Sequence, residues 1–396
     1  MNTPTPRWDD FDHLAVAGME DPAPLLHDLR AQCPVGHSDA HGGFWVIAGY
    51  DEVRAAAQEP RVFSSAVEHA SASRLRTRLL STPMIHSDAP QHRDFRQPLQ
   101  ATFSARNAEA MAPAIRSICR NLVDGFIERG EADLVSELTA IVPALVVFDL
   151  LDLPAEHREH LQAWTRDAVA LGNSESIEGI FEYAEVLYDE RRAAPGDDIP
   201  SRILTFTVDG RPITKEEWVG MIVLLVLAGL DTTTNGAALL LHLLGAQPDV
   251  RAFLCEDMAR IPAAIEEGMR FLSPVPQHSR EVRHDVEVGG CPLHVGDVVL
   301  LHWLGANHDP AEFPDPDTFV PDRNPNRHFG FGAGEHRCLG IHLARVELRE
   351  MVEEVLLRLP DYELVEGGTV RYGGLNRGMS SLRVRFTSGA RIAHSS

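Results

Sequence analysis

The chain has 396 residues, 44% of them apolar, and a formal net charge of −22 with a pI near 5.2. Such acidity argues against nucleic acid as a partner. Five cysteines, odd in number and without a CxxC pair, suit a reducing cytoplasm better than a disulfide framework. No linker, repeat or low-complexity tract divides the sequence, so one domain over 1–396 is expected.

Residues 1–20 are polar and contain proline, which predicts an irregular arm with neither signal peptide nor membrane anchor. A short helix is expected over 24–31, a strand over Phe44–Ile47 and a helix from Tyr50 to about Gln58. Ser64 to Thr82 is rich in Arg and Ser without periodicity and reads as a loop of the kind that covers pockets. Pro90 can open a helix on which His92 and Arg96, four apart, share a face. Helical patterns follow over 107–130, 131–150 and, in two parts joined around residues 172–174, over 156–194. Thr214 and Glu217 form a capping box that launches a helix to about Gly245. Its run VGMIVLLVLAGL is apolar on every face. Asp231 ends that run after twelve residues, too few to span a membrane, so burial inside protein is expected.

The interruption carries chemistry of its own. Ala228 and Gly229 are small enough for a flat ligand to approach the backbone. Thr232 can bond a carbonyl one turn back or leave it free. A buried carboxylate at Asp231 is costly unless it has a partner or a task. Two helices are expected over 249–272, and the second puts Glu267 and Arg270 on one face. After Pro274 and Pro276 the pattern alternates as strands up to about Trp303, and a Pro-rich meander leads to His328. Residues 328–340, HFGFGAGEHRCLG, place four glycines and two phenylalanines around Cys338. Free N–H groups where a turn opens a helix stabilise a thiolate. A buried lone thiolate beside a flat surface suits the axial ligand of a haem iron. A helix from Leu339 to about Leu359, strands near 362–364 and 381–386, and a frayed tail from Ser388 complete the pattern.

The spacing F-G-x-G-x-H-x-C-x-G, met from Phe331 to Gly340, resembles the haem-binding loop of the cytochrome P450 family. AGLDTT at 228–233 resembles the oxygen-activating motif of that family's central helix, counted from Ala228. The resemblance implies a mainly α triangular prism with a small β region. Haem b would lie between the central helix and the helix after Cys338, the metal ligand. Ala228, Phe331, Gly332 and Gly340 would line it. His92, Arg96, Arg280 and His336 would hold its propionates, with His278 as a possible helper and Arg93 facing a redox partner. Asp231 and Thr232 would relay protons. Glu267 and Arg270 resemble a structural E-x-x-R pair completed by Arg323.

On this resemblance the chain is expected to be a cytoplasmic, monomeric monooxygenase, using O2 and NAD(P)H electrons through a separate ferredoxin and reductase. Leu224, Leu225, Leu227, Val275, Pro276 and Leu375 are expected to form a pocket without aromatic residues. Such a pocket would take a compact hydrophobic substrate, such as a terpenoid, for hydroxylation or epoxidation. A peroxide-driven hydroxylase and a non-catalytic haem sensor are the alternatives. The stretches 64–85 and 165–185 match nothing in the family.

Overall fold

A helix of 32 residues passes through the middle of the computed structural model, which describes residues 6–66, 82–171 and 173–392. In chain order the first elements are α1 (His13–Gly18), α2 (Ala23–Gln32), β1 (Val35–Ser38), β2 (Phe44–Ile47), α3 (Tyr50–Ala57) and β3 (Phe63–Ser64). They are followed by α4 (Gln91–Gln100), α5 (Ala105–Phe126), β4 (Glu131–Asp133), α6 (Ile141–Leu150), α7 (Arg158–Leu171), α8 (Ser174–Ala193) and α9 (Ile199–Ile203). A small hairpin of β5 (Thr207–Val208) and β6 (Arg211–Pro212) precedes the central α10 (Lys215–Ala246), α11 (Pro248–Glu256) and α12 (Ile261–Leu272). Last come β7 (His278–Val282), β8 (Val286–Val288), β9 (Cys291–Leu293), β10 (Val298–Leu301), α13 (Trp303–Asn307), α14 (Ile341–Arg358), β11 (Glu363–Tyr372) and β12 (Gly378–Arg385).

The capping box forms as expected. The Thr214 hydroxyl accepts from the Glu217 N–H at 3.2 Å, and the Glu217 carboxylate accepts from the Thr214 N–H at 2.9 Å. From that start α10 runs unbroken for roughly 48 Å. By length and composition α10 could cross a membrane, but 67% of its most apolar window is buried by the rest of the fold. One core cluster joins its C-terminal half to α5, α12 and α14. A second joins its N-terminal half to α6, α7 and α8.

The β region has a five-stranded sheet in the order β1-β2-β10-β7-β3, parallel only between β2 and β10. It also has a three-stranded sheet, β11-β12-β4.

Three expectations need correction. Residues 6–20 are not an irregular arm: Trp8, Phe11 and Val16 are buried, and Asp12 caps α1 by accepting from the Leu14 N–H at 2.9 Å. Residues 131–150 are not one helix, because Glu131–Asp133 pairs with β12 and a π-helical turn at Val135–Thr139 precedes α6. Non-local pairing decided that segment, which local periodicity cannot report. The tail beyond Ser388 is tied as far as Ile392, whose N–H reaches the Asp124 carboxylate at 3.1 Å. Most of the loop expected over 64–82 lies outside the described residues.

The Pro-rich meander is held by one buried carboxylate. Glu267 and Arg270 are both fully buried and joined by two hydrogen bonds of 2.8 Å. Arg323 donates to the same carboxylate at 3.0 and 3.1 Å, and Asn326 and the Val320 N–H add two further donors. Arg270 also donates to the carbonyls of Asn307, Pro316 and Thr318. Asn307 passes the constraint on, since its side-chain oxygen accepts from the Phe329 N–H at 2.7 Å. Removing one member leaves a charge buried without its partner. Arg270→Ala should therefore cost about 3–5 kcal/mol. Thermal unfolding together with haem content checks this. Normal haem loading at an unchanged midpoint would mean that the network is dispensable.

Candidate active site

The loop before α14 owes its shape to particular glycines. Gly332 and Gly334 adopt φ of 67° and 68°, a left-handed conformation that side chains disfavour. A Cβ on Gly334 would lie 2.0 Å from the Ala57 carbonyl oxygen, so the loop packs there against the end of α3. On Gly332 and Gly340, by contrast, a Cβ would meet nothing within 4 Å. Both face a cavity of ≈ 410 Å³ that the Cys338 residue lines from one side.

Cys338 is enclosed by the fold, and its accessible surface is turned to that cavity. Its N–H donates to the Phe331 carbonyl at 2.9 Å. Burial pushes the thiol up, and the Gly340 N–H with the charges of Arg96, Arg337 and Arg345 pulls it down. Phe331 also lines the cavity, with the Arg345 guanidinium 5.3 Å from its ring centre.

The opposite wall is α10. Leu224, Leu225, Leu227, Ala228, Gly229, Thr232 and Thr233 all line the cavity. The Thr232 hydroxyl donates to the Ala228 carbonyl one turn back at 2.7 Å, and the helix continues without a break.

Asp231 does not line the cavity. Its carboxylate is buried and accepts from Asn376 at 2.7 Å, Asn235 at 2.9 Å and the Tyr372 hydroxyl at 3.0 Å. Burial pushes its pKa up, against those three hydrogen bonds. Tyr372 and Asn376 come from the end of β11 and the turn after it, which no spacing in the sequence ties to α10.

At one edge of the cavity lies a basic cluster. Arg96 donates to the Arg337 carbonyl, and Arg280 to the Ser279 carbonyl at 2.7 Å. Among the described residues neither guanidinium pairs with a carboxylate. Burial lowers both, Arg280 to about 10. The His92 and His336 rings are 4.2 Å apart, and Nε2 of each is buried without a hydrogen-bond partner. Burial first, then neighbouring cations, hold His92 down at about 4 and His336 at about 2, so both are neutral. His92 itself stands behind the cavity wall rather than in it.

His278 lines the cavity and accepts at Nδ1 from the Trp303 indole N–H at 2.9 Å, which leaves its proton on Nε2. His86 is a fourth histidine here, bonded to the Thr82 hydroxyl at 3.0 Å. Sequence reading missed His86, because its position lies beyond the H-x-x-x-R spacing. Strand β7 starts at His278, two residues before Arg280.

Val275 and Leu375 line the cavity, but Pro276 does not: its carbonyl is turned to the Leu304 N–H at 3.1 Å. The lining is not free of aromatic residues either, since Phe103 and Trp303 join Phe331. Phe103 arrives from the link between α4 and α5, which only the packing of those helices brings here. Gln277 adds a polar atom, its Oε1 buried without a partner. The Arg93 side chain lies away from the cavity, beside the small β5–β6 region.

A cavity with a cysteine thiol on one wall, a small-residue helix with a threonine on the other and a basic cluster at its edge fits a bound haem. The comparisons agree. A cytochrome P450 family profile matches residues 172–360. Cyclomarin C epoxidase of Salinispora arenicola is 33% identical over 376 residues, covering 91% of this chain and 95% of its own. Mycinamicin IV hydroxylase/epoxidase of Micromonospora griseorubida is 32% identical over 383 residues, covering 92% and 94%. The structure of a Mycobacterium marinum cytochrome P450 in complex with pseudoionone superposes with a TM-score of 0.88 at 27% identity, covering 96% and 98%. The chain belongs to the cytochrome P450 family. Its enzymatic class is that of the P450 monooxygenases, with the mainly helical fold of the family.

Haem fits what is present. Unpartnered Nε2 atoms on His92 and His336 and two guanidinium groups without carboxylates suit acidic propionates. The open sides of Gly332 and Gly340 leave room for a flat macrocycle.

Glu347, one more buried acid, faces the cavity from α14. Burial pushes its carboxyl up to about 8, against a hydrogen bond with Thr233. An acid raised in the folded state stabilises the fold when protonated, so that contribution declines as pH climbs from about 4.5 towards about 8. Glu347→Gln removes the titration. Its melting temperature relative to the parent should rise progressively between pH 5 and 8. A difference that stays flat over this range would show that Glu347 does not titrate there.

Proposed function

We propose that this monooxygenase hydroxylates or epoxidises a compact, largely aliphatic substrate such as a terpenoid. It would draw electrons from NAD(P)H through a separate reductase and ferredoxin in the cytoplasm. The observation that carries the reading is the apolar cavity between Cys338 and Thr232, with Leu224, Leu225, Leu227, Val275 and Leu375 in its wall. The relatives named for epoxidation and hydroxylation of cyclomarin C and mycinamicin IV support the reaction type. Beside the leucines and Val275, Gln277 brings a hydrogen-bond acceptor with no partner among the described residues, which favours a substrate carrying a hydroxyl group.

When bound, haem b would supply the dioxygen chemistry, and the Cys338 thiolate would hold its iron. Arg96, Arg280 and His336 at the cavity edge, with His92 behind them, would hold the propionates by charge-assisted and neutral hydrogen bonds. The Gly340 N–H and the N-terminal end of α14 stabilise negative charge on the Cys338 sulfur. The Thr232 hydroxyl rests on the Ala228 carbonyl and must leave it to donate into the cavity. Asp231 resupplies the proton. It must first release Tyr372 or Asn376, so these two residues position the acid.

Two tests follow from these roles. Reduced enzyme with carbon monoxide should show the red-shifted Soret band of thiolate ligation, and Cys338→His should abolish it. Survival of the band in the variant would exclude Cys338 as the ligand.

Turnover with surrogate ferredoxin and reductase tests the proton path. Thr232→Val should keep NADH oxidation while diverting it to hydrogen peroxide. Asp231→Asn should slow total turnover, with haem content and the substrate-induced spin shift unchanged. Tyr372→Phe should change the pH profile of turnover without altering haem content. If product per NADH is unchanged in the Thr232 and Asp231 variants, the two residues have no part in proton delivery.

A further inference from the structure

The N-terminal segment holds a second group of ligating side chains, far in character from the haem site. Asp12, His13 and His41 each offer one donor atom, and the three donors lie within 4.8 Å of one another. His13 opens α1 and is 1% exposed, yet neither of its ring nitrogens has a hydrogen-bond partner among the described residues. An imidazole buried in that way forfeits the bonds that water would give it.

The geometry around it is built, not loose. Its ring stands edge-on to His41, 5.1 Å between centres, and to Phe44 at 5.2 Å. His41 sits at φ 51°, a conformation that non-glycine residues rarely adopt, followed by two positive-φ glycines. That backbone turns its Nε2 to within 3.0 Å of the Asp12 carboxylate. Two further bonds clamp the halves together: the Ser38 hydroxyl donates to the Phe11 carbonyl at 2.6 Å, and the Asp39 N–H to the Asp9 carbonyl at 3.1 Å.

We propose that Asp12, His13 and His41 form a binding site for a divalent transition-metal ion of the zinc type. Two imidazoles and one carboxylate are a donor set that suits zinc, and a fourth position can remain for water. Donors on a tetrahedral zinc lie roughly 3.3 Å apart, given bonds of about 2.0–2.1 Å. The present spacing therefore closes with small side-chain rotations. Asp12 and His41 are partly exposed, which gives the ion a way in, and the charge of −22 favours cations near the surface.

The ion would join the start of α1 to the turn between β1 and β2. The end of α1 braces the hairpin that carries Leu375 and Asn376. Gly18 packs on Gly373, and Arg377 donates to the Met19 and Glu20 carbonyls at 3.1 and 3.3 Å. The site is thus a staple on the segment that supports one cavity wall.

The test uses haem-loaded enzyme freed of loosely held metal by a chelator, titrated with Zn2+ alone in a calorimeter and followed by thermal unfolding. One saturable equivalent should bind and raise the melting temperature. Asp12→Asn keeps a helix-capping side chain, and His41→Gly keeps a residue suited to positive φ. Each should weaken that equivalent by roughly tenfold or more while leaving the metal-free melting temperature close to the parent. Absence of a saturable equivalent in the parent would overturn the proposal. So would equal binding in both variants, which would place the zinc on other histidines.

Discussion

The carboxylate of Glu267 is the constraint on which the site depends. It is fully buried and accepts from Arg270, Arg323, Asn326 and the Val320 N–H. A buried anion is tolerated only when its donors surround it, so the meander from Asn307 to Asn326 cannot rearrange without exposing the charge. Through Asn307 and the Phe329 N–H the same constraint reaches the cysteine loop. The sulfur is therefore placed by an ion-pair network on the far side of α12, not by the loop alone.

The central helix shows a second use of buried polarity. Thr232 and Thr234 both turn their hydroxyls to carbonyls one turn back. Asp231, between them in space, finds its donors on the β11–β12 hairpin. The turn of that hairpin contributes Leu375 to the cavity, and its neighbour Asn376, with Tyr372, anchors Asp231. The substrate wall and the acid thus share one support, and the N-terminal segment braces it from outside.

The basic edge of the cavity is held in a strained electrostatic state. Arg280 is buried and Arg96 half-buried, neither with a carboxylate partner among the described residues, and desolvation keeps the four histidines around them neutral. Like charges and desolvation oppose one another's burial there. An acidic group entering the edge would relieve both costs.

Much of this was legible in the chain by itself. The capping box at Thr214, the apolar run to Leu230, the spacing around Cys338 and the Glu267–Arg270 pair follow from local rules of helix starts, periodicity and glycine conformation. Local rules cannot report what arrives from a distance. The pairing of Glu131–Asp133 with β12, Phe103 in the cavity and Pro276 outside it depend on how elements pack. The partners of Asp231 lie 141 and 145 residues away, and His13 meets His41 across a turn whose backbone conformation no periodicity encodes. The sequence by itself determined the helix that carries Asp231 and Thr232 and the glycine-rich loop that carries Cys338. Tertiary structure alone decided which of them face the cavity, because a side chain's neighbours are set by long-range packing that has no signature in residue spacing.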